Sequence, residues 1–333
     1  MRRLTLEQLP PPPPHKTGWP WTEECPQLLK AMPDGRPWPR MSIVTPSFNQ
    51  GDFIEKTIRS VLLQGFPNLE YVIIDGGSTD NSVEIIQEYS PWLSHWVSEP
   101  DRGQSAAINK GFTYATGDLL AWLNSDDYYM PGALQTIAKT ATANPEASVF
   151  VGSARIVDRK GEIISDKEPP AEIDLESLYN WMNRRDFMQP SCFFRKAAWE
   201  AGGPLDENLH LALDLDLWLR LAKRACTFMS LRELLSTAVI HDGAKTAAFA
   251  DLSNVNAAIV IIRHGGEHAA RPHLERMART LAWCEPNMER ILRNRLFRIL
   301  YPLIRPFIKP AASGKDLLPP WSSPDRSDLK GSQ

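Results

Sequence analysis

Apolar runs of strand length alternate with segments of helical period through the first half of the chain. Ser42-Ile43-Val44-Thr45 is short and β-rich and stops at Pro46, which predicts a buried strand. Asp52 with Glu55 forms a capping-box pattern, after which Ile54, Ile58, Val61 and Leu62 share one helical face. Tyr71-Val72-Ile73-Ile74 predicts the next strand. Asn81 with Glu84 then opens a second helix that runs to Tyr89 and ends before Pro91. Ser94–Ser98 reads as a strand, a loop follows at 99–103, and a helix runs through Ala106, Ala107, Ile108 and Ala115, with Gly117 just past its end. Leu119–Leu123 is a third strong strand, and Pro131 suits the first residue of the helix behind it. This alternation over 41–150 specifies an α/β fold, with a Rossmann-like, mostly parallel central sheet flanked by helices.

Beyond Val151 the period changes. Ile156-Val157 and Ile163-Ile164 flank Asp158-Arg159-Lys160-Gly161 as a hairpin, and 191–241 mixes short strands with two helices that are expected to complete the sheet. From Ala247 the pattern is mainly helical, which gives a helical C-terminal extension over 246–310; 311–333 is polar and expected to be disordered. At the other end, the prolines at 10–14 and the Trp19-Pro20-Trp21 cluster exclude helix and central strand. Residues 1–40 therefore read as an extended lead-in, pinned to the main domain (41–245) by its tryptophans.

Composition adds exclusions more than identities. A net charge of −3 argues against a general nucleic-acid binder, so no nucleic-acid partner is expected. Cys25, Cys192, Cys226 and Cys284 are far apart, which suits neither a disulfide framework nor a zinc site and fits a reducing cytoplasm. The start of the chain has no apolar signal core, and no run approaches the roughly 18 apolar residues that span a bilayer. The expectation is a cytoplasmic protein, soluble or peripheral at the inner face of the membrane.

The polar residues gather where the strands end. Strand one delivers Thr45-Pro46-Ser47-Phe48-Asn49, strand two Asp75-Gly76-Gly77-Ser78-Thr79-Asp80, and the third strong strand Asn124-Ser125-Asp126-Asp127. Asp, Ser and Gly are common in turns, so one such ending is weak evidence. Three on one rim mark a site, because open α/β sheets bind ligands outside the carboxyl ends of their strands.

Several of these blocks together resemble family 2 glycosyltransferases. They are Ser-Ile-Val-Thr-Pro-Ser-Phe-Asn at 42–49, Ile-Asp-Gly-Gly-Ser-Thr-Asp at 74–80, Ser-Glu-Pro-Asp-Arg-Gly-Gln-Ser-Ala-Ala-Ile-Asn-Lys-Gly at 98–111, Leu-Asn-Ser-Asp-Asp at 123–127, and Leu-Asp-Leu-Asp-Leu-Trp-Leu-Arg-Leu at 213–221. Order and spacing agree over 41–245. The resemblance implies a GT-A fold, a nucleotide-binding half at 41–127 and an acceptor half at 128–245. It also implies a nucleotide-diphospho-sugar donor and inversion at the anomeric carbon.

The resemblance distributes roles over the rim. Thr45, Pro46, Ser47, Asn49, Asp75, Gly77, Asp101, Arg102, Asn124 and Ser125 are placed around the nucleotide. Asp75 is suited to accept the N3–H of uracil, which cytosine lacks; the plain alternative is a tight turn that starts the next helix. Many members of the family carry a second Asp where this chain has Gly76. Arg102 reads equally as a phosphate contact or a surface ion pair.

The family's Asp-x-Asp is Asn124-Ser125-Asp126 here, so Asp126 is the main ligand for Mg²⁺ or Mn²⁺, with Asp127 and His241 as further metal candidates. Matching the 213–221 block makes Asp214 the general base. Asp216, two positions on, faces nearly the opposite way along a helix. Lys245 is placed near the diphosphate and Gln189 in the acceptor cleft.

The expected partners are a nucleotide-sugar donor and a saccharide or lipid-linked acceptor. The basic amphipathic pattern at 288–309 reads either as a helix on an anionic membrane surface or as one docked by its leucine face. Two other functions compete. A sugar-phosphate nucleotidyltransferase normally shows a Gly-rich basic loop after the first strand, which this chain lacks, and a non-catalytic nucleotide-sugar-binding module would tolerate Gly76, Asn124 and Leu213. An NAD-dependent dehydrogenase is disfavoured, since no G-x-G-x-x-G follows the first strand.

Overall fold

The computed structural model describes residues 4–183, 186–241 and 250–293. Strands β1 (Met41–Ser47), β2 (Leu69–Asp75), β3 (His95–Ser98) and β4 (Leu119–Trp122) lie in the order β3-β2-β1-β4 and are mutually parallel. Their near-continuous apolar runs divide by alternation between two cores. Ile43, Tyr71, Ile73, Leu119 and Ala121 enter one core, while Val44, Val72, Ile74, Leu120 and Trp122 enter the other. Helices α1 (Ile54–Leu62), α2 (Ser82–Tyr89) and α4 (Ala133–Ala143) cover the first face, and α3 (Gln104–Tyr114) covers the second.

The second half corrects the expectation of a mostly parallel sheet. β8 (Cys192–Arg195) joins β4 antiparallel, and β6 (Val149–Asp158) joins β8 antiparallel. β9 (Phe228–Ile240) runs parallel to β6, whereas β5 (Tyr128–Tyr129) and β7 (Ile163–Lys167) pair antiparallel at the margins. The nine-stranded sheet is therefore mixed. The antiparallel β8 has a functional consequence, because its first residues lie at the carboxyl end of β4. Helices α5 (Leu175–Tyr179), α6 (Lys196–Gly202), α7 (Leu213–Lys223) and α8 (Ala250–Arg263) add to the second core.

Several local expectations also shift. β1 continues through Pro46 to Ser47, since its pairing with β4 ends at Val44 and the missing proline N–H interrupts nothing on that side. Asp52 does not cap α1, whose N-cap is Phe53 without a side-chain bond; Asp52 instead pairs with Arg159 at 2.5 Å. Asp80, not Asn81, supplies the carboxylate before α2, accepting from Ser82 N–H at 3.0 Å and Gly51 N–H at 2.9 Å. Gly117 lies beyond the Ala115 cap of α3 and donates its N–H to Ser42 Oγ. Pro131 precedes the N-cap of α4, which is Gly132 in a left-handed conformation.

The chain divides into two compact units, Met1–Leu274 and Glu275–Gln333. The first contains the N-terminal lead-in, α8 and the first turns of α9 (Glu267–Arg293). Trp19 pins the lead-in as expected, donating Nε1–H to the Tyr129 carbonyl at 2.8 Å. The stronger clamp is Arg59, which is fully buried. Its guanidinium donates to the carbonyls of Pro10, Pro20 and Trp21 and to Tyr89 Oη, all at 2.8 to 3.0 Å. Lys245 and residues 294–333 lie outside the described residues, and with them most of the basic amphipathic segment and the whole tail.

Arg59→Met removes the guanidinium donors from this buried cluster and leaves the carbonyls of Pro10, Pro20 and Trp21 without them. Urea unfolding should report a loss of about 3–5 kcal/mol, and a loss below about 1 kcal/mol would show that Arg59 does not hold the lead-in.

Candidate active site

The strand ends converge on one buried carboxylate. Asp75, the last residue of β2, has no exposed surface and accepts five hydrogen bonds from the chain itself. Ser47 Oγ at the end of β1 (3.0 Å) and Ser78 Oγ (2.6 Å) donate to Oδ1. The N–H groups of Gly77 (3.1 Å) and Ser78 (2.8 Å) and Ser98 Oγ at the end of β3 (2.7 Å) donate to Oδ2. The turn needs glycine at 77, where φ is +82° and a Cβ would stand 3.1 Å from Pro100 N. Asn49, itself at φ +51°, closes the rim from β1 by accepting from Thr79 N–H and donating its own N–H to Ser78 Oγ, both at 2.8 Å. Thr45 and Pro46 are buried in the strand below, with Thr45 Oγ1 3.1 Å from Tyr71 Oη.

Asp101 lies over this turn. It is exposed, and its Oδ1 accepts Gly103 N–H at 2.7 Å. Arg102 forms an ion pair with Glu207 at 2.6 Å and is 82% exposed, which is the surface arrangement of the two readings. Gln104 ties this loop to the end of β4 by donating to Asn124 Oδ1 at 2.7 Å.

The Asn124–Asp127 step separates its two carboxylates. Asp127 turns inward, accepting Val239 N–H at 3.2 Å and Asn124 Nδ2–H at 3.3 Å. Burial, and then the charge of Asp126, push the Asp127 carboxyl well above its ordinary range. Thr57 Oγ1 holds the turn from α1 through the carbonyls of Ser125 and Asp127. Asp126 instead meets His241, with Oδ2 3.1 Å from Nε2. The imidazole is fixed by stacking on Phe53, with ring centroids 4.3 Å apart.

Among the described residues no group of three or more His, Cys, Asp or Glu side chains is arranged to hold a metal ion. The Asp126–His241 pair supplies one carboxylate and one imidazole. Mg²⁺ and Mn²⁺ sites of this kind are completed by substrate phosphates and water, so the donor set suits such an ion once a diphosphate is present.

The second half of the chain reaches the same rim through β8 and contributes α7. Gln189, just before β8, donates Nε2–H to the Trp122 carbonyl at 2.9 Å, two residues from Asn124. Its Oε1 is buried and has no hydrogen-bond partner. Asp214, in the first turn of α7, accepts Leu215 N–H at 2.9 Å, and burial raises its carboxyl. Its charge contributes, after burial, to raising the Cys192 thiol. Asp216 faces elsewhere, bonded at 2.9 Å to both Arg220 Nε and His264 Nε2. A groove of about 1280 Å³ is lined by Asp101 and Arg102 together with Asp216 and Arg220, and by none of Asn124–Asp127, Asp214 or Gln189.

Two aromatic residues belong to this rim although the polar pattern passes over them. Phe48 is 59% exposed beside Asn49, a position visible in sequence as an aromatic directly after a strand. Phe53 supports His241 from a position 188 residues earlier, and no local pattern connects the two.

Comparisons with known proteins bear on the fold. Residues 42–202 match the family model described as glycosyl transferase family 2. Over those residues the chain has a family 2 glycosyltransferase fold. An uncharacterized glycosyltransferase of Rickettsia typhi is 25% identical over 218 residues, covering 62% of this chain and 66% of that protein. The chondroitin synthase of Pasteurella multocida is 26% identical over 226 residues, covering 67% of this chain but 23% of that protein. The chain thus spans less than two thirds of these curated relatives.

Among solved structures, TarS of S. aureus in complex with UDP-GlcNAc aligns at a TM-score of 0.52 with 18% identity, covering 66% of each chain. The mannosyltransferase PcManGT of Pyrobaculum calidifontis, with GDP-Man and Mn²⁺, aligns at 0.52 with 16% identity, covering 79% of this chain and 86% of its own. At these identities the likeness is one of fold. No helix among the described residues is long and apolar enough to cross a membrane.

Asp75→Asn in the family 2 domain replaces one fully used carboxylate oxygen with an NH₂ group that faces donors. The expected loss is about 3 kcal/mol of stability, read by chemical denaturation. An unchanged midpoint would show that the five bonds do not hold the rim together.

Proposed function

We propose that this chain is a hexosyltransferase that moves a sugar from a nucleotide-diphospho-sugar, a UDP-sugar, to a hydroxyl of a saccharide or lipid-linked acceptor in polysaccharide or glycolipid synthesis. The observation that carries the proposal is the contrast between two carboxylates, one on a strand end and one at the start of a helix. Asp126 stands against His241, suited to a cation and a diphosphate, whereas Asp214 is desolvated at the start of α7 and suited to take a proton.

The acceptor oxygen attacks the anomeric carbon opposite the diphosphate and forms the new C–O bond. The bond to the leaving phosphate oxygen breaks with its electron pair, the nucleoside diphosphate departs, and the acceptor proton passes to Asp214. Inversion follows from that single displacement. A bound Mg²⁺ or Mn²⁺ would neutralise charge on the departing diphosphate, held by Asp126 and His241, with Asp127 bracing their turn from below. Phe48 offers an exposed ring beside the β2 turn for a base to stack on, and Gln189 Oε1 offers an acceptor for a sugar hydroxyl. Support for the donor class comes from the two solved structures of like fold, which are complexes with UDP-GlcNAc and with GDP-Man and Mn²⁺.

Incubation with UDP-sugars, Mn²⁺ and an acceptor panel should release UDP. Asp214→Asn should lower kcat by about 10²–10⁴-fold with UDP affinity unchanged, and Asp126→Ala should abolish the metal dependence. UDP binding without release across the panel would instead establish a binding module.

The pH dependence has a defined sign. Asp214 works deprotonated, and burial raises its carboxyl, so kcat should fall as pH drops through a value above the ordinary carboxylate range of about 4. A flat profile down to pH ~4 would remove Asp214 from the role of base.

A further inference from the structure

The carboxylate best placed by sequence to read the base is already spent. Asp75 accepts five hydrogen bonds from the chain and has no exposed surface, so a base N–H reaching it would have to displace one of those donors. A second carboxylate occupies the place beside it. A Cβ built on Gly76 would stand 3.0 Å from Asp101 Oδ2 and 3.2 Å from both Cγ and Oδ1, so the Asp101 side chain fills the room that a side chain at 76 would take.

The chain holds Asp101 there by several means. Glu99 N–H donates to the Asp75 carbonyl at 3.0 Å, Pro100 packs on Gly77, and Gly103 N–H holds Asp101 Oδ1. Both carboxylate oxygens stand within 3.2 Å of the Gly76 Cβ position, on an exposed residue.

We propose that Asp101, entering from the loop after β3 across the bare backbone of Gly76, is the residue that selects the nucleobase by accepting its ring N–H, while Asp75 only builds the turn beneath. This rests on the proposed nucleotide-sugar donor and sharpens it. The ligand class is a nucleoside diphosphate whose base carries an N–H at that ring position: uracil N3 does, and cytosine N3 does not. Gly76 is then a specificity position through the space it leaves.

The test is calorimetric titration of the full chain with UDP and with CDP in the presence of Mn²⁺. The wild type should favour UDP. Asp101→Asn, whose amide can accept from uracil N3–H or donate to cytosine N3, should bring the two affinities together, with UDP weakened about tenfold and the unfolding midpoint unchanged. Moving the carboxylate back to the strand in the double variant Gly76→Asp, Asp101→Gly should restore the UDP preference, which a merely structural role for Asp101 would not do. An unaltered UDP-to-CDP ratio in Asp101→Asn overturns the inference and leaves the proposed donor class standing. A wild-type chain that binds no nucleoside diphosphate overturns that donor class itself.

Discussion

A carboxylate withdrawn from water costs several kcal/mol unless donors replace its hydration, and Asp75 obtains those donors from three neighbouring strands. Ser47 ends β1, Gly77 and Ser78 follow β2, and Ser98 ends β3, so the charge can be buried only if all three strand ends are in register. The loop carrying Asp101 is seated on the same turn, and Gln104 passes that constraint on to Asn124 and the acidic step. Each further piece of the rim is placed relative to this one buried charge. A substitution that frees Asp75 should therefore loosen parts that do not touch it.

The remainder of the site depends on a change of strand direction. Had β8 run parallel to β4, its first residues would lie at the opposite end of the sheet from Asn124. Because it runs antiparallel, Gln189 and Cys192 arrive at the carboxyl end of β4. The two unlike carboxylates thus come from halves of different architecture. A parallel half supplies Asp126 on a strand end, and a mixed half supplies Asp214 on a helix. Their electrostatics differ accordingly: Asp126 faces an imidazole, whereas Asp214 sits where burial disfavours its charge.

The elements of the first half were legible because buried parallel strands are continuous apolar runs, and Val44 and Trp122 needed no partner in view to be recognised as core. The rim was legible for a related reason, since the polar residues follow those runs directly. Pairing direction was not, because β8 is four residues long and its apolar run fits either orientation. Nor did residue type separate Asp75 from Asp101. Both are aspartates in turn-like sequence, and only the fold shows that the first is fully buried and the second exposed. The Asp52 pattern misled for the opposite reason, because its carboxylate found Arg159 on a distant hairpin instead of its own helix. Phe53 supporting His241 is a long-range contact, and a local pattern carries no trace of it.

The central claim is that one rim holds base, diphosphate and acceptor proton in separate hands. A crystal structure of the full chain with UDP and Mn²⁺ addresses it most directly. The account predicts the uracil edge at Asp101 over Gly76, the metal and diphosphate at Asp126 and His241, and Asp214 facing open space beyond the β-phosphate. Uracil bonded to a displaced Asp75, or a diphosphate lodged in the groove at Arg220 and Asp216, would contradict it.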